Sequence, residues 1–93
     1  MIPMYKIDQI AAEIWGINPD LLPTKSRKRE VVEARQILMQ YRYIQRKLTQ
    51  KMAGKRYNRD HATVNHAINK INELVQSDKH FLEKFQEFNS KVQ

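Results

Sequence analysis

Residues 59–76 read RDHATVNHAINKINELVQ, and this stretch decides the fold that the sequence predicts. Its apolar residues recur three and four positions apart, which is the spacing of one face of an amphipathic helix. Asp60 stands just before the first of them and is a candidate N-cap, because its carboxylate can accept a hydrogen bond from a free backbone N–H. We therefore expect a helix that begins after Asp60 and ends at a break formed by Ser77 and Asp78. Its expected core face comprises Val64, Ala67, Ile68, Ile71, Leu74 and Val75.

The residues before this helix predict a partner for it. Thr49 is a candidate N-cap for a short helix that runs through about Tyr57, with Ala53 and Tyr57 facing inward. Asn58 and Arg59 then form a tight turn. Two helices joined in this way have the outline of a helix-turn-helix, here over about residues 49–76, in which the second helix enters the major groove of DNA.

The rest of the chain also favours helices, since it has few glycines and its β-branched runs are short. The fold class that we predict is all-α, a small helical bundle with a helix-turn-helix in a single domain of residues 1–93. The further expected elements are a helix over about 5–15 capped by Gly16, a helical turn that begins at Asn18 and stops at Pro23, a basic loop at 24–29, a helix from Glu30 to about Lys47, and a closing helix at 78–92.

The apolar stripes of these helices predict the rest of the core. The long second helix carries three arginines, Arg35, Arg42 and Arg46, outside its stripe, and we expect the last two to form a solvated face. The expected core residues are Ile7, Ile10, Ala11 and Ile14 in the first helix, Val31, Ala34, Leu38, Tyr41, Ile44 and Leu48 in the second, and Phe81, Phe85, Phe88 and Val92 in the last.

Charge narrows the class of partner. The 93 residues carry a net charge of +7, but residues 25–59 hold twelve basic and two acidic side chains, a local balance of +10, and the remainder balances at −3. Such a concentrated positive field suits a polyanion, with nucleic acid first and an anionic membrane surface second. The chain has no cysteine, which excludes disulfides and thiolate zinc sites. Without a signal peptide or an apolar span, we expect a cytoplasmic protein.

The exposed face of the helix after Asp60 differs from an ordinary solvated face. With the apolar stripe turned inward, the first turns present His61, Ala62, Asn65, His66 and Asn69, which are short donors, acceptors and a methyl group. Groups of this kind suit hydrogen bonds to base edges and contact with a thymine methyl. This face therefore predicts recognition of DNA bases.

Two segments carry a resemblance to a known family. Residues 25–36, KSRKREVVEARQ, and residues 59–67, RDHATVNHA, resemble the carboxy-terminal DNA-binding domain of the bacterial replication initiator DnaA, whose signature has the common form RDHTTVxHA. The likeness covers about residues 5–92. It implies a Trp-repressor-like bundle, a role in replication initiation or its regulation on the nucleoid, and binding of one monomer to an asymmetric A/T-rich DnaA box similar to TTATNCACA in double-stranded DNA.

The resemblance also implies roles for particular residues. An arginine suits the narrow minor groove of A/T-rich DNA, and an aspartate can accept a bond from a cytosine amino group. The implied base readers are Arg27 in the minor groove and Asp60, His61 and Ala62 in the major groove. The implied phosphate contacts are Lys25, Arg29, Arg35, Gln36, Arg59, Thr63, His66 and Lys70.

This chain departs from the family pattern in four ways. Ala62 stands where a base-contacting threonine is usual, so that a methyl contact survives without the hydroxyl bond. The turn at Tyr57 and Asn58 is one residue shorter than the family's aromatic followed by two glycines, and Lys51 replaces a frequent proline. The largest departure is from the whole initiator, whose ATPase module with a GxxxxGK[ST] phosphate loop is absent from this chain. The chain is thus expected to be either a stand-alone protein, as from a phage or mobile element, or an excised domain.

The sequence is also compatible with other functions. The basic stretch could instead serve an RNA-binding or lipid-binding module, or a less specific nucleic-acid binder or phage regulator, and the terminal helix could dock a protein partner. No nucleophile with a neighbouring base and no paired carboxylates can be assembled, so we expect no enzyme, no small-molecule substrate and no cofactor. His61 and His66 lie about 140° apart on a helix, which disfavours a metal site.

Overall fold

The computed structural model describes all residues, 1–93, and contains only helices. The elements are α1 (Met4–Trp15), a 3₁₀ turn (Pro19–Leu21), α2 (Arg29–Ile44), α3 (Gln50–Lys55), α4 (His61–Ser77) and α5 (Lys79–Val92). The all-α prediction is therefore confirmed. No helix has both the length and the apolar character that a membrane crossing requires.

The core lies around α2, which packs against α1, α3 and α4, while α5 covers α1 and α4. Two edge-to-face aromatic pairs join distant parts of the chain, Trp15 with Phe81 at 6.1 Å between ring centres and Tyr41 with Phe88 at 5.8 Å. Most of the predicted core is confirmed as buried: Ile7, Ala11, Val31, Ala34, Leu38, Tyr41, Ala53, Tyr57, Val64, Ala67, Ile71, Phe81, Phe88 and Val92. Partly buried against this core are Ile10, Ile14, Ile68, Leu74, Val75 and Phe85.

The predicted caps are confirmed, and they explain where the helices begin. In each case a short polar side chain accepts a hydrogen bond from a backbone N–H of the first turn, which would otherwise lack a partner. Gly16 ends α1 in the left-handed conformation at φ 70°. The capping bonds are Asn18 to the Asp20 N–H at 2.9 Å, Thr49 to Met52 at 3.1 Å, Asp60 to Thr63 at 2.8 Å and Asp78 to Phe81 at 3.0 Å.

The expected ends of α2 are wrong by one to three residues. The helix begins at Arg29 and ends at Ile44 rather than at about Lys47. Lys47 takes a left-handed conformation at φ 57°, and the N–H of Leu48 turns back to the carbonyl of Arg42 at 3.2 Å. Ile44, which was predicted to be a core residue, is 53% exposed. It is the last residue of α2, and the helical pattern that predicted its inward position stops there.

Helix α3 also ends early, at Lys55 rather than at about Tyr57. The N–H groups of Tyr57 and Arg59 both donate to the carbonyl of Gly54, each at 3.0 Å, and Asn58 takes φ 57°. The chain therefore turns sharply before α4 begins.

Arg42 and Arg46 do not form the solvated face that was expected. The Arg42 guanidinium donates to the carbonyls of Ala53 at 3.2 Å and Met52 at 3.0 Å. These carbonyls belong to the last turn of α3, where the helix offers no N–H partner. Arg46 donates to the Tyr41 hydroxyl at 3.1 Å and to the carbonyl of Ile2. Both arginines therefore join elements of the fold.

Gly54 allows α3 to pack closely on the turn and on α4. A Cβ atom at this position would lie 2.5 Å from the carbonyl oxygen of Arg59 and 2.9 Å from Cγ2 of Val64. Real Cβ atoms do not approach other atoms so closely, and the first of these atoms belongs to the backbone. Only glycine fits here without a shift of α3.

We predict that Gly54→Ala lowers the free energy of unfolding by about 1–3 kcal/mol, because the overpacking outweighs the better helix propensity of alanine. Urea denaturation followed by circular dichroism measures the change. Lys51→Ala, an exposed change in the same helix, is the control and should stay within about 0.5 kcal/mol of wild type. Unchanged or increased stability of Gly54→Ala would contradict the close approach.

Candidate nucleic-acid interface

The first turns of α4 present the predicted polar face to solvent. His61, Ala62, Asn65, His66 and Asn69 are all exposed, while the opposite face is packed in the core. Helix α4 packs against α2, α3 and α5, and its buried residues are Val64, Ala67 and Ile71. The exposed face therefore belongs to a helix that the core holds in place.

Asp60 caps α4 with one carboxylate oxygen only. Its Oδ1 accepts both the backbone N–H of Thr63 at 2.8 Å and the Thr63 hydroxyl at 2.7 Å. These bonds favour the charged form and hold the pKa of Asp60 below its ordinary value. The side chain is exposed and Oδ2 accepts no bond from the protein, so this oxygen can face an outside donor.

Two further predicted contacts of α4 already have partners in the helix or at its N-cap. The hydroxyl of Thr63 donates a hydrogen bond to Asp60, and the Lys70 ammonium lies 3.6 Å from a carboxylate oxygen of Glu73. The Lys70 pair is well exposed on both sides, at 46% and 70%, so it contributes little to stability and can exchange partners.

The loop of residues 24–28 carries Lys25 and Arg27, and both side chains are exposed. The loop itself is tied down from within. The Thr24 hydroxyl donates to the carbonyl of Leu21 at 2.6 Å and accepts the N–H of Ser26 at 3.2 Å. Its cations therefore project from an ordered backbone.

Arg35 of α2 forms hydrogen bonds to the backbone of the same loop. Its side chain, expected outside the core, is only 4% exposed. The guanidinium donates to the carbonyls of Leu22 at 2.8 Å, Thr24 at 3.1 Å and Ser26 at 3.3 Å. Burial, with a smaller effect of nearby Arg59, lowers its pKa to about 10, so that it stays charged at neutral pH. The phosphate contact of Arg35 stays a prediction.

Two side chains of the turn between α3 and α4 also form hydrogen bonds to the start of the loop. The Asn58 amide donates to the carbonyl of Pro23 at 2.9 Å. The Arg59 guanidinium donates to the backbone carbonyl of Thr24 at 2.8 Å and to that of Tyr57 at 2.6 Å. Loop and turn, which are 35 residues apart in sequence, are thus adjacent in space.

Arg29 and Gln36 lie apart from this cluster, on α2. Arg29 donates to carboxylates of Glu33 at 3.0 Å and Asp78 at 2.8 Å, although its own side chain is 70% exposed. The hydrogen bond to Glu33 is the main cause of its raised pKa. Gln36 is half-buried.

Sequence reasoning missed the polar cluster that ties the turn to α1. The carboxylate of Asp8, which is 9% exposed, accepts two bonds from Arg56, at 2.9 Å and 2.7 Å, and one from the Tyr57 hydroxyl at 2.6 Å. Burial and then the charge of Asp8 raise the pKa of Tyr57. A signal was present, since Asp8 lies four and seven residues before Ala12 and Trp15, on the buried face of α1.

The positive charge around the turn is largely uncompensated. Of the twelve basic residues within 25–59, only Arg29 and Arg56 form ion pairs with carboxylates. A hollow at the turn is lined by Lys51, Lys55, Arg59 and His61, together with Met52, Asn58 and Asp60. Lys51, where the family often has proline, adds one more unpaired cation to this hollow.

A tight turn between α3 and α4, an exposed polar face on α4 and unpaired cations beside it define a helix-turn-helix domain of the DNA-binding class. The chain belongs to the bacterial DnaA helix-turn-helix family. The model of that family, described as "Bacterial dnaA protein helix-turn-helix", matches residues 4–71.

Relatives named chromosomal replication initiator protein DnaA show the same similarity. The chain is 34% identical to that of Flavobacterium psychrophilum over 88 residues, 92% of this chain and 18% of the relative. It is 36% identical to that of Bacteroides thetaiotaomicron over 89 residues (88% and 18%) and 33% identical to that of Campylobacter concisus over 95 residues (98% and 21%). The chain thus spans about a fifth of the length of these relatives.

The cap of α4 predicts a pH dependence. Because the folded pKa of Asp60 is lowered, its stabilisation is fully present above the unfolded value and is lost as pH falls through the folded value. The thermal stability of wild type should therefore exceed that of Asp60→Asn at neutral pH. The difference should begin to shrink as pH falls through about 4, the unfolded value, and should vanish only once pH has fallen through the lower folded value. Thermal unfolding measured across about pH 2–7, a range that extends well below the unfolded value, checks this.

Glu83→Gln is the matched control for this series, because Glu83 is exposed and has no partner in the protein. Its difference from wild type should not change with pH. A wild-type advantage over Asp60→Asn that stays undiminished down to the lowest pH would rule out the charged cap as its cause.

Proposed function

We propose that this chain binds double-stranded DNA sequence-specifically, at asymmetric A/T-rich sites of the DnaA-box type, in replication initiation or its regulation. Residues 1–93 act as one DNA-binding domain, and one copy occupies one site. The observation that carries the proposal is the placement of the exposed polar turns of α4 beside unpaired cations of the loop and turn. The first can read bases and the second can bind phosphates.

In the major groove, the base readers are Asp60, His61 and Ala62. They stand at the start of α4, where recognition helices meet base edges. The free Oδ2 of Asp60 accepts a bond from a cytosine amino group while Oδ1 keeps its capping bonds. His61 supplies a donor or acceptor, and the methyl of Ala62 contacts a thymine methyl.

In the minor groove, the reader is Arg27, which projects from the ordered loop. Arginine is suited to narrow A/T-rich grooves, whose negative potential is enhanced. The phosphate contacts fix the register of the domain on the duplex. We assign them to Lys25, Arg29, Gln36, Arg59, Thr63, His66 and Lys70, with Arg29 exchanging its carboxylate partners for a phosphate. The resemblance also implies Arg35, but its guanidinium is buried against three carbonyls, so we place Arg35 beneath the phosphate-binding loop.

The structure favours DNA over a role as a protein-interaction adaptor built on the terminal helix. Helix α5 turns Phe81, Phe88 and Val92 into the core, and none of the large exposed apolar side chains lies on it. The unpaired charge is instead concentrated at the loop and the turn.

We predict that a DnaA-box duplex binds more tightly than a scrambled duplex of equal length and composition, and that His61→Ala reduces this preference. Loss of one base contact should cost about 1–3 kcal/mol on the box and nothing on the scrambled duplex. Fluorescence anisotropy titrations with the two labelled duplexes measure both affinities. Equal binding of both duplexes by wild type would refute sequence-specific recognition.

Lys25→Ala should instead weaken both duplexes alike, because a phosphate contact carries no sequence information. The slope of log affinity against log salt concentration should fall by about one unit. Lys91→Ala is the matched control, since Lys91 lies on α5 and pairs with Glu87 at 3.0 Å. Its affinity and salt slope should equal those of wild type, and a loss as large as that of Lys25→Ala would show that the effect is one of net charge alone.

A further inference from the structure

We propose that Arg35, Asn58 and Arg59 form a carbonyl clamp that fixes the basic loop to the helix-turn-helix before DNA binds, so that Arg35 and Asn58 set sequence specificity as positioning residues. The effect on DNA rests on the proposed function above. The clamp itself is a property of the free protein.

The clamp engages four carbonyls of one short segment. Arg35 donates to Leu22, Thr24 and Ser26, Asn58 donates to Pro23, and Arg59 donates to Thr24. Four of these five bonds are 3.1 Å or shorter, and two of the donors come from the turn between α3 and α4. Loops usually leave such carbonyls to water, so this segment is held unusually firmly.

Arg35 is suited to this task by shape rather than by charge. The planar guanidinium spreads its N–H groups over several acceptors, which a lysine ammonium on a flexible stem does not reproduce. All three of its contacts are neutral carbonyls, and it has no carboxylate partner. It is among the few charged residues that the fold buries.

Asn58 offers a separable test of the clamp. Its backbone is left-handed at φ 57°, a conformation that glycine adopts freely and asparagine tolerates. Asn58→Gly thus keeps the turn and removes only the amide that donates to Pro23. The side chain is exposed, so no cavity forms.

The clamp sets the distance between the two reading elements. Arg27 follows the clamped carbonyls of Thr24 and Ser26, and Asp60 follows Arg59 in the chain. A loop fixed in this way loses no conformational entropy when Arg27 enters the minor groove. A free loop loses this entropy when it binds the specific site, and the loss weakens specific binding alone. Loosening the clamp should therefore lower the ratio of specific to scrambled affinity.

The experiment compares wild type, Asn58→Gly, Arg35→Lys and Arg46→Lys. Arg46→Lys is the matched control, because it also removes an arginine bonded to a carbonyl, but at Ile2, away from the loop. ¹⁵N relaxation of the amides of residues 24–28 is measured without DNA, and circular dichroism verifies the fold. Anisotropy then gives the ratio of box to scrambled affinity.

In wild type and Arg46→Lys, the loop amides should be rigid, with order parameters of about 0.85, and in the two clamp variants they should fall below about 0.6. The affinity ratio should fall by roughly tenfold in both clamp variants and not in the control. Arg35→Lys keeps the positive charge. If Arg35 acted only by attracting phosphate, the loop of this variant would therefore stay rigid in the absence of DNA.

Rigid loop amides in both clamp variants, or an unchanged affinity ratio despite mobile amides, would overturn the inference. A wild type without preference for the box would refute the proposed function instead, and with it the effect of the clamp on specificity. The relaxation data would still decide whether the clamp orders the loop, since they involve no DNA.

Discussion

The absence of a side chain at Gly54 is the constraint on which the placement of the loop, the turn and the start of α4 depends. It lets the carbonyl of Arg59 and the side chain of Val64 approach α3 at distances that any Cβ would block. The Gly54 carbonyl then accepts two N–H groups and folds the turn back on itself. As a result, Asp60 stands at the start of α4 and the Arg59 side chain reaches the loop.

A second tie makes this turn part of the core. The buried carboxylate of Asp8 is matched by Arg56 and by the Tyr57 hydroxyl, so that no buried side-chain donor or acceptor in the structure lacks a partner. Buried charges are tolerated when they are paired in this way, and losing one member leaves the other unsatisfied. The turn is therefore anchored to α1 as well as to α3 and α4.

Local features of the fold could be predicted from the sequence because they depend on neighbours in the chain. The caps at Asn18, Thr49, Asp60 and Asp78 and the apolar stripes of α4 and α5 follow from short-range bonding and helical period. The polar face of α4 was also accessible in this way, since exposure is the complement of the stripe.

The errors concern long side chains whose partners lie far away in sequence. Periodicity places Arg35, Arg42 and Arg46 off the apolar stripe, yet a guanidinium can reach carbonyls of another element and be buried there. No local rule links Asn58 to Pro23, because the bond requires the loop and the turn to meet first. Likewise, Ile44 continues the stripe in the sequence but lies where the helix stops.

Trp15 is the single tryptophan of the chain, and its surroundings give it a use of its own. Its ring is 3% exposed, packs edge-on against Phe81, lies under the Lys84 ammonium and donates from its indole nitrogen to Glu33 at 3.1 Å. Its fluorescence thus reports the packing of α1 against α2 and α5, an optical signal for folding that originates outside the first turns of α4. The folding of variants with substitutions in the loop or in α4 can therefore be followed by this intrinsic probe without an attached dye.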